Sequence, residues 1–286
     1  MASVQQIKRR IGSVKNTRQI TKAMQLVAAS KLRRAQEAAE KPREYTAAAR
    51  ALLARLKQLS EPNAHGFFNE RAIKHRTLVV ISGDRGLAGA YNANVCKRLV
   101  EELRADAAAG VQTSLLLIGR QVAQFAVRLE SADILGVYQD VAETSHRNEL
   151  RAIITTAFDN FHSQKTDAVD VIFTHYRSTV SQEVTVQRLL PAGNIDEQSE
   201  VAVADFEPSA EAVLETTVVR LVEAQVFQAV LDGFASEHSM RMLAMKNATD
   251  NASDLADDLT LVYNNARQAS ITQELAEITG GAEALK

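Results

Sequence analysis

Residues 245–272 read MKNATDNASDLADDLTLVYNNARQASIT. Apolar residues recur in this segment at alternating steps of three and four, which is the repeat of a coiled coil. They are Met245, Ala248, Ala252, Leu255, Leu259, Val262, Ala266 and Ala269. The same segment is rich in Asn, Ser and Thr, which are modest helix formers, so an isolated helix here would be weak. The sequence therefore predicts a helix that needs a partner along its length.

The helix that contains this repeat is predicted to begin near Ser209 and to continue to the C-terminus. This part of the chain has no proline and, before Gly280, only one glycine, Gly233. At 1.5 Å rise per residue such a helix would span roughly 100 Å. A periodic run far longer than about 25 residues indicates a coiled coil or a rod.

The N-terminal segment predicts a second long helix, from Ser3 to about Ser60. Ser3 and Gln6 have the spacing of a capping box, which predicts the helix start. A heptad seam follows, with Arg18 and Gln25 as polar interruptions. Its members are Ile7, Ile11, Val14, Thr21, Ala28, Leu32, Ala35 and Ala39. Because proline removes a backbone donor, we expect a kink or a short break at Pro42, after which the axis can continue to Leu59.

The two predicted helices carry opposite charge. Between positions 3 and 36 every charged residue is Lys or Arg, whereas acids outnumber bases in the C-terminal helix. Opposite signs beside two apolar seams favour pairing of these helices with each other, although each exposed ion pair contributes only about 0.2–1 kcal/mol. The basic face has three interpretations: a solvated surface, a patch for nucleic acid or acidic lipid, and a contact for acidic loops of a protein partner.

The central segment predicts an α/β domain. Strands are expected at Thr77–Ile81, Thr113–Ile118, Asp133–Tyr138, Val169–Tyr176 and Val180–Leu190, and helices at Asn92–Ala109, Arg120–Leu129 and His146–His162, before a loop at Ala192–Asp205. Alternating strands and helices favour a mostly parallel sheet with one antiparallel edge. The predicted fold is therefore a Rossmann-like α/β foot (61–208) inserted between two terminal helices (1–60 and 209–286) that form an antiparallel coiled coil.

Composition excludes several classes of protein. A formal net charge of -2 gives no general reason to expect nucleic acid. No run of about 18 apolar residues and no signal-peptide core is present, so we expect neither a membrane span nor export. Cys96 is the only cysteine, which excludes an intrachain disulfide or a cysteine-cluster metal site.

Candidate chemical sites are few. The segment from Ser82 to Gly89 follows a predicted strand, but its G-x-x-G-x-x-G spacing matches neither the dinucleotide pattern nor the phosphate loop. A tight turn or a partner contact is the favoured interpretation. The six histidines have no metal-ligand spacing. Asp257 and Asp258 are helix neighbours that point about 100° apart, so they cannot face one substrate together. The residues therefore predict no catalytic site, no metal and no cofactor.

Several motifs together resemble one family. They are IKRRI (7–11), SVKNTRQITKAM (13–24), KLRRA (31–35), SGDRGL (82–87), LLP (189–191), SE (236–237), RM (241–242), AM (244–245), ATDNA (248–252) and RQASITQE (267–274). In this order they resemble the γ subunit of F-type ATP synthase over the whole chain. Ala88 stands where the family commonly has cysteine, and Thr279 where a branched apolar residue is usual. The paired-cysteine insertion of photosynthetic members is missing, which argues against thiol regulation of that kind.

The resemblance implies a non-catalytic rotor subunit, present in one copy per complex. It implies a coiled coil inside the ring of α and β subunits, and a foot that binds the ε subunit and the membrane c ring. It also implies that Arg267, Gln268, Thr272 and nearby Glu274 contact the ring as a polar catch, and that Lys22 and Met24 face the acidic arms of β. For the foot, we predict a partner contact at Asp84, Arg85 and Gly86. The apolar tail from Ile278 to Leu285 is expected in an apolar sleeve, with a frayed end as the alternative.

The expected location is peripheral, on the cytoplasmic face of a bacterial plasma membrane, without direct membrane insertion. Two alternatives come from other classes of protein. One is a nucleotide-dependent enzyme with a coiled-coil arm, which would bind labelled nucleotide. The other is a coiled-coil scaffold or nucleic-acid binder, whose affinity for DNA would fall steeply with salt.

Overall fold

The structure is a computed structural model that describes residues 4–59, 67, 71–129, 133–141, 147–192 and 210–283. The helices are α1 (Val4–Leu59), α2 (Tyr91–Ala108), α3 (Arg120–Ala126), α4 (Arg147–His162) and α5 (Ala210–Glu283). The strands are β1 (His75–Ile81), β2 (Gln112–Ile118), β3 (Asp133–Tyr138), β4 (Ala168–Tyr176) and β5 (Gln182–Leu190). Each predicted strand and helix is confirmed, with shifts of at most a few residues at the ends.

The five strands form one sheet in the order β3-β2-β1-β4-β5. β1 pairs in parallel with β2 and β4, and β2 pairs in parallel with β3. β5 pairs antiparallel with β4. The predicted mostly parallel sheet with one antiparallel edge is therefore confirmed.

Apolar residues on both faces of the sheet explain why β1, β2 and β4 read as continuous hydrophobic runs, as buried parallel strands do. On one face Val79, Leu116 and Val171 pack in a core with α4 and with residues 218–230 of α5. On the other face Leu78, Leu115 and Ile172 pack in a second core with α2 and α3. The sheet is thus covered on each side by helices.

α1 does not break at Pro42. The helix is continuous from Val4 to Leu59, so a short break at Pro42 is wrong and the prediction of a continuing axis is confirmed, while the kink stays a prediction. Proline removes one backbone hydrogen bond, and the helical turns on either side supply the others. The predicted capping box includes Ser3, and the predicted loop continues beyond residue 192; both extend outside the described residues.

The chain divides into two compact units. One contains residues 1–28 and 241–286, and the other contains residues 29–240. The predicted domain limits, at residues 60 and 208, follow the ends of the long helices and stay a prediction.

A buried ion network ties the start of β1 to neighbouring elements in the 29–240 unit. The Arg76 guanidinium donates to Asp170 on β4, and to Glu102 at 2.9 Å and Asp106 at 3.0 Å on α2. Arg188 of β5 also donates to Asp170. Burial alone would lower the pKa of Arg76, but the surrounding carboxylates raise it above its usual value. The guanidinium is therefore held in its charged form.

Asp167 should make stability depend on acid pH. Its Oδ2 accepts from the backbone N–H groups of Lys74 (2.9 Å) and His75 (3.0 Å). Burial alone would raise its pKa, but these two hydrogen bonds, with smaller contributions from the charges of Arg71 and His75, lower it below the usual value. A lowered native pKa stabilises the fold above the unfolded pKa of about 3.9, and this stabilisation is lost as pH falls through the native value.

We expect Asp167→Asn to lose about 1 kcal/mol of unfolding free energy at pH 7, because hydrogen bonds to a charged acceptor are stronger than those to a neutral one. Urea unfolding of the purified chain at pH 7 and at acid pH measures the effect. The difference from wild type should shrink as pH falls below about 4. A difference that is constant over this range would contradict the assignment.

Candidate functional site: the paired terminal helices and the crevice of the sheet

Residues 4–28 of α1 bury the predicted seam in the unit formed by residues 1–28 and 241–286. Ile7, Thr21 and Ala28 are buried, and Ile11 and Val14 are half-buried. In the other unit the seam continues through Leu32, Ala35 and Ala39, all buried. Every member of this predicted seam therefore lies on a packed face.

The C-terminal repeat of α5 is confirmed at five of its eight positions and wrong at the other three. Met245 and Ala252 are buried, and Ala248, Leu259 and Ala266 are half-buried, as predicted. Leu255 and Val262 are instead 48% and 50% exposed, and Ala269 is also exposed.

One residue further along, Ala256 is only 4% exposed, and Tyr263 and Ser270 are half-buried. The packed seam thus includes Ala256, Tyr263 and Ser270, each one position after a predicted member. Apolar character alone could not distinguish these positions, because adjacent residues at 255–256 and 262–263 are all apolar or aromatic. The helix turns its small residue, Ala256, toward its partner and leaves Leu255 and Val262 outward.

A hydrogen bond joins the two helices directly. Thr249 Oγ1 donates to Thr21 Oγ1 at 2.8 Å. The chain leaves this unit after Ala28 and enters it again at Arg241, and the bond joins positions about equally far from those two points. The segments are therefore antiparallel, as predicted. In this register Val4, where α1 begins, lies opposite about residue 266, which explains why residues 271–280 of α5 are all exposed.

The outward surface of this unit is unusually apolar for a solvated coiled coil. The exposed large apolar residues are Ile20, Leu26, Val27, Leu255, Leu261, Val262, Ile271, Leu275 and Ile278. Isolated exposed apolar residues are ordinary, but a series along one pair of helices is typical of a protein-binding surface.

The residues predicted for the ring contact lie on this same unit. Arg267, Gln268, Thr272 and Glu274 are exposed on α5, and Lys22 is exposed on α1. Met24 is half-buried. The Thr272 hydroxyl donates to the carbonyl of Gln268 within the helix, at 2.9 Å, and Glu274 Oε1 accepts from Ser270 at 3.3 Å. Their surroundings within the chain leave the Arg267 and Gln268 side chains accessible to a partner.

The 29–240 unit has a crevice of the kind that binds ligands in open α/β sheets. The strand order reverses direction between β1 and β4, and nucleotides bind in such folds at the carboxyl ends of the strands beside that reversal. In this chain α5 occupies that crevice. A Cβ on Gly233 would lie 3.2 Å from Ile81 Cγ2 and from the Tyr91 hydroxyl, and Ser236 Oγ donates to the Thr174 carbonyl at 3.0 Å.

The loop predicted to contact a partner, residues 82–89, makes several hydrogen bonds within the chain. The Gly83 N–H donates to Asn92 Oδ1 at 3.0 Å, and Asp84 Oδ1 accepts from the backbone N–H of Arg120 at the start of α3, at 2.9 Å. Leu87 and Gly89 have positive φ, as a tight turn requires. Arg85 and Gly86 are exposed at the tip. The favoured interpretation of a tight structural turn is confirmed, and the partner contact stays a prediction.

Gly83 should be sensitive to a single added methyl group. A Cβ at Gly83 would lie 2.8 Å from Glu237 Cδ, and Glu237 is buried, so it cannot easily move away. We expect Gly83→Ala to lower the unfolding free energy by about 1–3 kcal/mol through overpacking. Urea unfolding of the purified chain measures this change.

Gly86→Ala is the matched control, because a Cβ at Gly86 meets no atom within 4 Å. It should leave the unfolding free energy within about 0.5 kcal/mol of wild type. Equal effects of the two substitutions would show that Glu237 of α5 does not pack closely against Gly83.

The described part of the chain offers little for chemistry. No group of three or more His, Cys, Asp or Glu residues in it could hold a metal ion. Burial raises the pKa of the Cys96 thiol, which disfavours the reactive thiolate. A cleft of about 230 Å³ lies between α2 and the β4–β5 hairpin. Its charged lining residues, Lys97, Arg98 and Glu101, also form i,i+4 ion pairs along α2.

Within the described helices, none is both long enough and apolar enough to cross a bilayer.

Comparison with known proteins assigns the family. Residues 3–285 match the family model described as ATP synthase. The chain is 38% identical over 289 residues to the ATP synthase gamma chain of Glaesserella parasuis serovar 5 (strain SH0165), with 100% of both chains covered. It is 39% identical over 290 residues to that of Stenotrophomonas maltophilia (strain R551-3), again with 100% of both covered. The chain belongs to the ATP synthase gamma-chain family.

Solved structures agree with this assignment. A chain from the central stalk and c ring of the Tetrahymena thermophila mitochondrial ATP synthase is 26% identical, with a TM-score of 0.63 over 80% of this chain and 99% of that one. A chain of the Euglena gracilis mitochondrial enzyme shares the fold at 16% identity, with a TM-score of 0.67 over 99% of this chain and 94% of that one. As a gamma-family member, the chain is a subunit of the ATP synthase central stalk.

Sequence reasoning missed several polar residues that join α5 to the sheet in the 29–240 unit. They are Thr174, His175, Thr179, Gln182, Asp232 and Ser239. The available signal was the i, i+4, i+7 spacing of Asp232, Ser236 and Ser239 within α5. That spacing places the three side chains on one face of the helix.

Proposed function

We propose that this gamma subunit is the non-catalytic rotor that couples proton flow through a membrane c ring to ATP synthesis in a ring of α and β subunits. The observation that carries the proposal is the antiparallel pair formed by residues 1–28 and 241–286, whose outward surface holds a series of exposed apolar side chains. A solvated coiled coil would not expose them without cost. Enclosure by partner subunits removes that cost.

The rotor acts by changing the relative free energies of conformations in its partners. Moving one charge across a potential of 100 mV releases about 2.3 kcal/mol. The energy of several protons must therefore be combined through one stiff element to make each ATP. An asymmetric shaft makes different contacts with each catalytic β subunit and shifts each one toward a different state. In this proposal the catalytic groups lie on β, and the gamma chain supplies only those contacts.

The polar catch is proposed at Arg267, Gln268, Thr272 and Glu274. Exposure of all four supports the proposal, as does the planar guanidinium of Arg267, which suits bidentate bonds to a carboxylate. At the other helix, exposed Lys22 beside Met24 would face the acidic arms of β. This assignment gives the basic face of α1 a protein partner rather than nucleic acid.

The foot is proposed to bind the ε subunit and the c ring. Arg85 and Gly86 project from the loop that Asp84 fixes to α3, so a rigid tip is offered to a partner. In functional terms we divide the chain into the helix 1–60, the foot 61–208 and the helix 209–286. One copy serves each complex, held at the cytoplasmic face of the plasma membrane through its partners, with the exposed tail near Ile278 in an apolar sleeve.

Co-purification tests this function. The gamma chain carries an affinity tag at its N-terminus and is expressed with its own α, β and ε subunits. We expect all three to be recovered in a complex that contains one gamma chain and hydrolyses ATP, and we expect the isolated gamma chain to bind no labelled nucleotide. Recovery of gamma alone, or nucleotide binding by the isolated chain, would contradict the proposal.

A further inference from the structure

One face of α5 is polar although it is buried. Asp232, Ser236 and Ser239 are only 3%, 0% and 0% exposed. Their spacing of four and three residues places them on the same side of the helix. The preceding turns bury apolar residues such as Val226 and Val230 instead. We call Asp232, Ser236 and Ser239 the locking face.

The first member of the locking face bonds to the end of β4. Asp232 Oδ2 lies 2.7 Å from His175 Nδ1. The other oxygen, Oδ1, accepts from Gln228 Nε2 one turn earlier on α5, at 3.0 Å. The carboxylate is thus held from two sides, and its direction toward the sheet is fixed.

The two serines bond to the β4–β5 hairpin. Ser236 Oγ donates to the Thr174 carbonyl at 3.0 Å, and Ser239 Oγ donates to the Thr179 carbonyl at 2.8 Å. Ser239 Oγ also accepts from Gln182 Nε2 at 3.2 Å. Together with Asp232, these residues tie two turns of α5 to the hairpin at Thr174, His175 and Thr179.

Hydrogen bonds constrain a helix differently from apolar contacts. Apolar contacts depend mainly on buried area, so a helix can shift a little and keep most of them. Hydrogen bonds weaken steeply with distance and angle. A buried polar group that loses its partner pays the cost of desolvation, so buried polar contacts can specify one register among several of similar packing. Three such bonds along the helix resist both rotation about its axis and sliding.

We propose that the locking face prevents α5 from slipping against the sheet, so that a turn of the foot becomes a turn of α5. Asp232, Ser236 and Ser239 are positioning residues for the coupling reaction. This inference rests on the proposed rotor function, since a lock against rotation matters only in a chain that carries torque. α5 continues as one helix from Ala210 to Glu283, so a turn imposed at residues 232–239 is transmitted along an unbroken element.

The experiment measures torsional stiffness in the assembled complex. Val127 on the foot is 76% exposed, and Cys96 is the only cysteine of this chain, so Val127→Cys in a Cys96→Ala background gives one attachment point on the gamma chain for a bead, with any exposed cysteines of the other subunits replaced. The αβ ring is fixed to a surface, and the angular fluctuation of the bead is recorded while rotation is stalled. This angular fluctuation measures how far the foot moves relative to the ring. The overall stability of the chain does not determine it.

The test variant replaces Asp232, Ser236 and Ser239 together with alanine. Each lost hydrogen bond changes an equilibrium by roughly two- to tenfold, so we expect the angular variance to rise about twofold or more. Asp232→Asn alone keeps a group that can bond His175 and should stay close to the reference. Ser239→Ala alone, which removes the bonds to Thr179 and Gln182, should give a smaller rise.

The matched control is Thr77→Val. Thr77 Oγ1 donates to Thr166 Oγ1 at 3.1 Å, and Thr77 is buried, but neither residue belongs to α5. It should leave the variance unchanged. Unchanged variance in both the triple variant and Ser239→Ala would overturn the lock, as would an equal rise in Thr77→Val. If the triple variant does not assemble, Ser239→Ala alone decides by the same criterion. Failure of the unsubstituted chain to assemble with α and β would overturn the proposed function instead.

Discussion

Charge reversal at Arg267 combined with Gln268→Ala should reduce ATP synthesis by at least roughly tenfold in membranes that carry the assembled complex. Breaking a hydrogen-bonded charge pair at an interface costs about 2–5 kcal/mol, and 1.4 kcal/mol corresponds to a factor of ten. Both side chains are exposed in the isolated chain, so the foot should unfold at the same urea concentration as wild type. The measurement is proton-driven ATP synthesis, with the recovered amount of complex determined in parallel.

The matched control reverses charge elsewhere on the same helix. Asp258 and Asn264 are exposed on α5 and lie outside the motifs shared with the family. Asp258→Lys with Asn264→Ala should therefore retain most of the synthesis rate. Wild-type synthesis by the Arg267 and Gln268 variant would count against the catch, and an equal loss in the control would show that any charge change on α5 is harmful.

Arg76→Met should have the largest effect on stability, a loss of about 3–5 kcal/mol of unfolding free energy. The side chain of Asp170 is almost fully buried, and Asp106 and Glu102 are mostly buried, so removal of the guanidinium leaves carboxylates without their main counter-charge. Arg188 would still contact Asp170, which keeps the loss at the lower end of that range. The midpoint of urea unfolding of the purified chain measures the change.

Arg33→Met serves as the control for the loss of an arginine. Arg33 pairs with Glu37 at 2.9 Å on the surface of α1, where the two side chains are 82% and 63% exposed. Exposed pairs of this kind contribute about 0.3–0.5 kcal/mol. A loss below about 1 kcal/mol in Arg76→Met would contradict the role of the network, because breaking a buried pair leaves an uncompensated charge.

The strands could be predicted because β1, β2 and β4 are buried on both faces and therefore appear as apolar runs. The seam of α1 could be predicted because polar or charged residues separate most of its members. The seam of α5 could not be fixed in the same way, since Leu255 and Ala256 are adjacent and both apolar. Which of the two packs depends on the position of the partner helix, and the residues of α5 alone do not contain that information.

Sequence motifs could predict the ring-contact residues, but they could not predict the contacts of α5 with the sheet. Arg267 and Gln268 belong to a contiguous motif, so resemblance alone could select them. Asp232 and His175 are 57 positions apart, and only the folded chain brings them within 2.7 Å. The same applies to Arg76 and Asp170, which lie on β1 and β4.

By itself, the sequence determined that two long helices flank an α/β sheet, that the terminal segments pair, and which family the chain resembles. These properties follow from local periodicity and from contiguous motifs, which the linear chain contains. The tertiary structure decided which residues of α5 face a partner, how α5 fills the crevice between β1 and β4, and which carboxylates form ion pairs with Arg76. Those properties depend on distances between segments far apart in the chain, and only packing sets such distances.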